Sequence, residues 1–146
     1  MTACYDKSGI RFLYPENWQI TDEEVSRDGF SLSVQSPESA FWSLNVYESE
    51  RDPGSLVDAV LKSMEGEYEG IESSALKERF GEIESLGYDM CFYCLDFVVD
   101  SRVLAARALG RTVLILWQAE DREFDRLEPV FRAMTLSLLN PQPVAS

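Results

Sequence analysis

The first third of the chain alternates apolar and polar residues with the period of β-strands. The alternation over 10–14 stops at Pro15, which has no backbone donor for a sheet, and resumes at Trp18, which we expect to close one end of the core. Residues 30–35 and 40–47 alternate cleanly on either side of a Pro/Ser turn. Two such runs predict an antiparallel hairpin with one buried face and one partly solvent-exposed face.

The partly solvent-exposed face of the second hairpin strand carries two large aromatic residues. Phe41 and Tyr47 share this face with Ser43 and Asn45, while Trp42 falls on the buried side. An aromatic pair beside a polar strip is typical of a protein-docking surface, so we predict these four residues as a candidate docking face. The alternative is that a helix covers them.

Two segments follow the helical period. In the first, Asp52 is a suitable N-cap, Pro53 suits the first helical position, and Gly70 suits the exit. The second begins near Asp121 and contains Pro129, where we expect a kink, the alternative being a short turn before the main helix. The apolar stripes are Val57, Val60, Leu61, Met64 and Tyr68 in the first segment, and Phe124, Leu127, Phe131, Met134 and Leu138 in the second.

Residues 71–119 return to the strand period. The stretch GYDMCFYCLDFVV is largely apolar on both faces and is interrupted by Asp96, which predicts a strand in the middle of a sheet covered on both sides. We place the next turn at Asp100–Ser101 and a two-residue hairpin turn at Gly110–Arg111, giving three consecutive antiparallel strands. One predicted face of the first strand comprises Cys91, Tyr93, Leu95, Phe97 and Val99.

Length and composition suit a soluble protein with one core. A chain of 146 residues favours a single domain, which we place at 1–139 with a frayed tail at 140–146. No apolar run approaches the length of about 18 residues that spans a bilayer. The start, MTACYDKSGIRF, lacks the features of a secretory signal, so we expect a cytoplasmic protein. A net charge of −13 argues against nucleic-acid binding.

The sequence offers few residues for catalysis. With no histidine, Ser-His-Asp and Cys-His arrangements and histidine-bound metals are excluded. Cys91 and Cys94 form a CxxC motif, but residues three apart in a strand point to opposite faces, so we expect both thiols to serve packing. With Cys4 the cysteine count is odd, which argues against a disulfide framework. We predict neither a cofactor nor a metal.

Asp96 is the strongest single candidate for chemistry, because it interrupts an apolar strand. A partly buried carboxylate there would support a small-ligand binder or a carboxylate-based enzyme with a pocket around Asp96. The alternative is an ion pair with an arginine on an adjacent strand. The arginines considered for that pair are Arg102, Arg107 and Arg111.

Five short motifs together resemble a known family. They are Phe12-Leu13-Tyr14-Pro15 with Trp18, the helix LVDAVLKSM, Gly87 opening the long central strand, the hairpin LGRTVLILWQA, and the closing FxxLxPVFRAMTLSL. Over nearly the whole chain this order resembles the PsbP-like α/β/α sandwich superfamily, which includes the photosystem II PsbP protein, a Ran-binding nuclear import factor and bacterial DcrB-like domains.

The resemblance implies an α+β fold, an antiparallel sheet flanked by helices. It also implies a largely non-enzymatic role, because characterised members of the superfamily bind other proteins and some bacterial relatives act as chaperones. We therefore predict a non-catalytic protein-interaction module of a bacterium, an adaptor or a chaperone, with a protein partner.

Overall fold

A seven-stranded antiparallel sheet forms the middle layer of the protein, with one helix on one face and a second helix plus a two-stranded hairpin on the other. The computed structural model describes residues 1–141; residues 142–146 lie outside it, and with them most of the tail predicted at 140–146. The elements are β1 (Thr2–Lys7), β2 (Ile10–Pro15), β3 (Gln19–Ser26), β4 (Gly29–Gln35), β5 (Phe41–Tyr47), α1 (Pro53–Glu67), β6 (Glu72–Phe80), β7 (Ile83–Cys94), β8 (Phe97–Ala108), β9 (Arg111–Glu120) and α2 (Asp121–Leu139).

The order of strands across the large sheet is β3-β4-β5-β9-β8-β7-β6, and every neighbouring pair is antiparallel. Two local meanders, β3–β5 and β6–β9, are joined where β5 pairs with β9. The β1–β2 hairpin is a separate two-stranded sheet. The predicted α+β class, an antiparallel sheet flanked by helices, is therefore confirmed.

Helix α1 covers one end of one sheet face. Its N-terminus is capped as the sequence predicted, because the Asp52 carboxylate accepts a hydrogen bond from the Ser55 backbone N–H at 3.0 Å. The helix packs on β7, β8 and β9, where Val57 joins Met90 and Val103 in a small buried cluster. We call this side of the sheet the α1 face.

Helix α2 packs on the opposite face together with β2, and the larger core lies there. Phe131 and Met134 of its apolar stripe are fully buried. The helix runs without interruption through Pro129, so the alternative of a separate turn before a main helix is wrong. Neither helix within residues 1–141 is both long and apolar enough to span a bilayer.

Two turns of the β6–β9 meander differ from the sequence prediction. The β7–β8 turn is Leu95–Asp96, not Asp100–Ser101, and Asp100 lies inside β8 opposite Cys91. The β8–β9 turn is Leu109–Gly110, one residue earlier than predicted. Leu109 and Gly110 have φ of 59° and 70°, the backbone of a two-residue hairpin turn with both residues left-handed. The three consecutive antiparallel strands of the prediction are present as β7, β8 and β9, but their register differs from the predicted one.

Gly87 lies where two strands approach closely. It pairs with Leu104 of β8, and a Cβ added at Gly87 would stand 1.7 Å from the Val103 carbonyl oxygen. Only a residue without a side chain fits this contact, which explains a glycine inside a long central strand.

Candidate interaction site

Asp96 is an exposed turn residue, so it is not the partly buried strand carboxylate that the sequence predicted. It is the second residue of the β7–β8 turn, between the closing pair Cys94 and Phe97. The predicted alternative, an ion pair with Arg102, Arg107 or Arg111, is also wrong. Those arginines pair instead with Asp89, Glu50 and Glu48 respectively. Both expectations failed because the predicted strand continued through Asp96, whereas β7 ends at Cys94, two residues before Asp96.

The β7–β8 turn presents apolar side chains to solvent. Tyr93, Leu95 and Phe97 are 73%, 91% and 53% exposed, and we call these three residues the apolar tip. Leu95 has φ of 57°, a left-handed conformation that is unfavourable for a residue with a branched side chain. The chain therefore holds a leucine in a strained and exposed position where Asn or Gly would fold more easily.

A cavity of about 280 Å³ lies against the apolar tip. Leu95 and Phe97 line it together with Val99 of β8 and Glu120 of β9. The C-terminal end of α1 packs on the sheet beside this cavity. There the ring of Tyr68, the C-cap residue, stacks on the ring of Phe92 with centroids 4.2 Å apart. We call this space the tip cavity. The remaining lining residues are Ser39, Cys94, Gln118 and Ala119.

The predicted docking residues Phe41, Ser43, Asn45 and Tyr47 all lie on the α1 face of β5 and are all half-buried. We call these four residues the β5 face. Helix α1 packs on β7, β8 and β9 rather than centrally over β5, which leaves this strip accessible. One end is partly covered, since the Arg51 guanidinium lies 4.8 Å from the centre of the Tyr47 ring.

Gln118 connects the β5 face with the tip cavity. It is the register partner of Phe41 across the β5–β9 pair, and it also lines the cavity. The exposed side of Phe41 and the cavity are therefore neighbours on the α1 face. Together they make one accessible surface of aromatic, aliphatic and small polar side chains.

The two cysteines of the CxxC motif lie on opposite faces of β7, as the alternation predicted. Cys91 faces α2 and hydrogen-bonds with Asp100, whereas Cys94 lies on the α1 face beside Tyr68. Burial, followed by the bond to Asp100, raises the pKa of the Cys91 thiol. A raised pKa keeps this thiol protonated and weakly nucleophilic at neutral pH.

A second recess, of about 470 Å³, lies on the other face between β6–β8 and the first half of α2. Its lining includes Arg102 and five acids, which are Glu72, Asp89, Asp100, Asp125 and Glu128. Arg102 donates to both Asp89 oxygens, at 2.7 and 3.2 Å, and to Glu78 at 3.1 Å. Arg102 therefore compensates the charge of Asp89, and Arg132 pairs with Glu128 at 3.1 Å.

Asp100 lines this recess and has no ion-pair partner within residues 1–141. Burial, and then the charges of Asp121, Asp125 and Asp89, raise its pKa, while the hydrogen bond with Cys91 opposes that change. Within residues 1–141 no group of three or more His, Cys, Asp or Glu side chains is placed to hold a metal ion. The recess is best described as a charged network that fastens α2 to the sheet.

Sequence reasoning missed the apolar tip because it assigned Tyr93, Leu95 and Phe97 to a covered strand. Their spacing is that of a buried face, and exposure depends on where the strand turns. Asp96 was the available signal, since an Asp within an apolar run is also a common turn residue. Leu95 precedes Asp96, and because leucine is not a typical turn residue, the sequence did not indicate a turn at this position.

No family model matches the chain, and no curated protein matches it. Solved structures do. The solution structure of the cyanobacterial PsbP protein CyanoP from Synechocystis sp. PCC 6803 matches with a TM-score of 0.66 at 12% identity, over 92% of this chain and 89% of that one. The Pseudomonas aeruginosa protein of unknown function PA94 matches with a TM-score of 0.54 at 12% identity, over 98% and 99%. The chain therefore has the PsbP-like fold that the sequence motifs suggested.

Proposed function

We propose that the chain is a non-catalytic protein-interaction module, in an adaptor or chaperone role, that binds a partner through the apolar tip and the adjoining β5 face. The observation that carries the proposal is the exposure of Leu95 and Phe97 beside the tip cavity, with Tyr93 exposed on the opposite face of the same turn. A cluster of large apolar side chains in water lowers solubility and is typical of a surface that another molecule covers.

The β5 face supports the same proposal. Phe41 supplies a further aromatic side chain beside the tip cavity, and Ser43 and Asn45 supply polar groups able to pair with a partner's backbone. Interfaces commonly combine aromatic anchors with a polar surround.

Site-specific photocrosslinking tests this proposal. A photoreactive phenylalanine analogue replaces Phe97 in one variant and Phe41 in another, and each is exposed to light in the cells that produce the protein. Because Phe97 lines the tip cavity and Phe41 lies opposite Gln118 of its lining, both positions should crosslink to the same partner. Adducts are identified by mass spectrometry.

Leu109 gives a matched control. It is a partly exposed leucine in the β8–β9 turn and has the same left-handed backbone as Leu95. Position 109 should give little or no adduct. The proposal fails if positions 41 and 97 give none, or if all three positions capture the same proteins in equal yield.

A further inference from the structure

We infer that the partner contributes an apolar segment carrying positive charge, a stretch of another protein in which large apolar residues stand next to Lys or Arg. This inference rests on the proposed function and names the chemistry of the partner at the same surface.

The apolar half of the inference follows from the shape and lining of the tip cavity. Its volume of about 280 Å³ accommodates a large apolar side chain, and Leu95, Phe97 and Val99 provide the apolar wall. Burying such a side chain against these three residues stabilises the complex through the hydrophobic effect. A purely polar segment would gain nothing from this wall.

The charged half follows from the acids around the cavity. Glu120 lines it and Asp96 adjoins Leu95 in the turn, whereas the lining within residues 1–141 contains no Lys or Arg. Neither acid has an ion-pair partner within those residues. Glu38, on the same loop as Ser39, is by contrast paired with Arg126 at 3.6 Å.

Unpaired acids beside an apolar cavity favour a partner segment that carries positive charge. A Lys or Arg next to the inserted apolar residue would meet Glu120 or Asp96, whereas a Glu or Asp would be repelled. The overall charge of −13 adds a field that attracts cationic segments and speeds their approach. The same charge repels anionic lipid and nucleic-acid surfaces, which leaves a cationic protein segment as the favoured occupant.

Peptide binding tests the inference with defined probes. A short dansyl-labelled peptide of alternating lysine and leucine is titrated with the full chain and followed by fluorescence anisotropy. Peptides of the same length made of glutamate and leucine, and of lysine and serine, are compared with it. Only the lysine–leucine peptide should bind tightly.

Variants separate specific binding from general attraction to an acidic protein. Leu95→Ser keeps every charge and should weaken lysine–leucine binding about tenfold. Leu109→Ser, in the matching turn, should change it less than about twofold. Glu120→Gln should weaken it about threefold and reduce its dependence on salt. Phe97→Ser repeats the test of Leu95→Ser at a second position.

The outcomes distinguish the two proposals. If the glutamate–leucine peptide binds as well as the lysine–leucine peptide, and both lose affinity in Leu95→Ser, the docking surface stands and the inferred charge is wrong. If Leu95→Ser and Phe97→Ser both leave peptide binding unchanged, the docking surface itself is wrong. Stronger Leu95-dependent binding to phosphatidylserine vesicles than to the peptide would also overturn the inference, in favour of a lipid surface.

Discussion

Trp42 and Trp117 lie opposite each other on β5 and β9, and their indole nitrogens donate to the same oxygen, Thr135 Oγ1, at 3.0 and 2.9 Å. The Thr135 hydroxyl in turn donates to the Phe131 carbonyl oxygen at 2.9 Å. One hydroxyl therefore uses its donor and both acceptor sites, all of them buried. This contact fastens α2 to the two central strands of the sheet.

Thr135→Val should lower the free energy of unfolding by about 3 kcal/mol, because it leaves two buried indole N–H groups without an acceptor. The measurement is urea unfolding followed by tryptophan fluorescence. Thr135→Ser is the control, since it keeps the oxygen and should cost only about 1 kcal/mol for the lost methyl group. Equal losses in the two variants would contradict the shared-acceptor explanation.

Gly87→Ala should destabilise the protein by about 3 kcal/mol or more, because the new methyl group would overlap the Val103 carbonyl oxygen on the next strand. Gly66→Ala is the opposite case. Gly66 lies in α1 with open space around its Cα, so alanine should raise stability by up to about 1 kcal/mol. Both are measured by urea unfolding, and a neutral Gly87→Ala would show that β7 and β8 are farther apart than described.

Leu95→Asn should raise the free energy of unfolding by about 1 kcal/mol, because asparagine tolerates the left-handed backbone of this turn better than leucine. Leu109→Asn should give a similar gain for the same reason. Only Leu95→Asn should lower the yield of adducts from position 97. A loss of stability in Leu95→Asn would mean that Leu95 makes favourable contacts within the folded chain.

Asp100→Asn should stabilise the protein at neutral pH. Burial raises the pKa of Asp100, so the charged form opposes folding at high pH and the opposition disappears as the carboxyl becomes protonated. The gain over wild type should therefore be present at pH 7 and fade towards about pH 4, where the unfolded chain also binds the proton. Thermal unfolding across this range measures the difference.

Glu78→Gln should show the opposite pH dependence. Hydrogen bonds from Arg132, together with the charges of Arg132 and Arg102, lower the pKa of Glu78. Its charged form therefore stabilises the fold above about pH 4, and this contribution is lost as the pH falls through its folded pKa. We expect a loss of about 2 kcal/mol at pH 7 that shrinks in acid. A pH-independent loss would mean that packing, not charge, explains the effect.

The sequence was sufficient to predict the local elements. Alternation located the β4–β5 hairpin, and the capping pair Asp52–Pro53 located the start of α1, because these signals depend on neighbouring residues only. The buried position of Trp42 and Trp117 followed from the same alternation.

The register of the strand pairs could not be predicted from the sequence, because it depends on contacts between residues that are far apart in the chain. The pair Asp89–Arg102 exists only because β7 and β8 turn at Leu95 and Asp96, and a turn elsewhere would give every residue a different partner. Leucine is a poor signal for such a turn, so the turn was placed at Asp100 instead. The apolar tip was missed for the same reason.

The pairing of β5 with β9 has a consequence for the rate at which the chain folds. It brings Phe41 opposite Gln118, so the contact between the two meanders joins residues that are far apart in the sequence. The strands within each meander pair with neighbours that are close in the sequence. Loop closure of this size slows assembly. The two meanders should therefore form first, and a nascent chain should expose the unpaired edge of β5 until β9 has been synthesised.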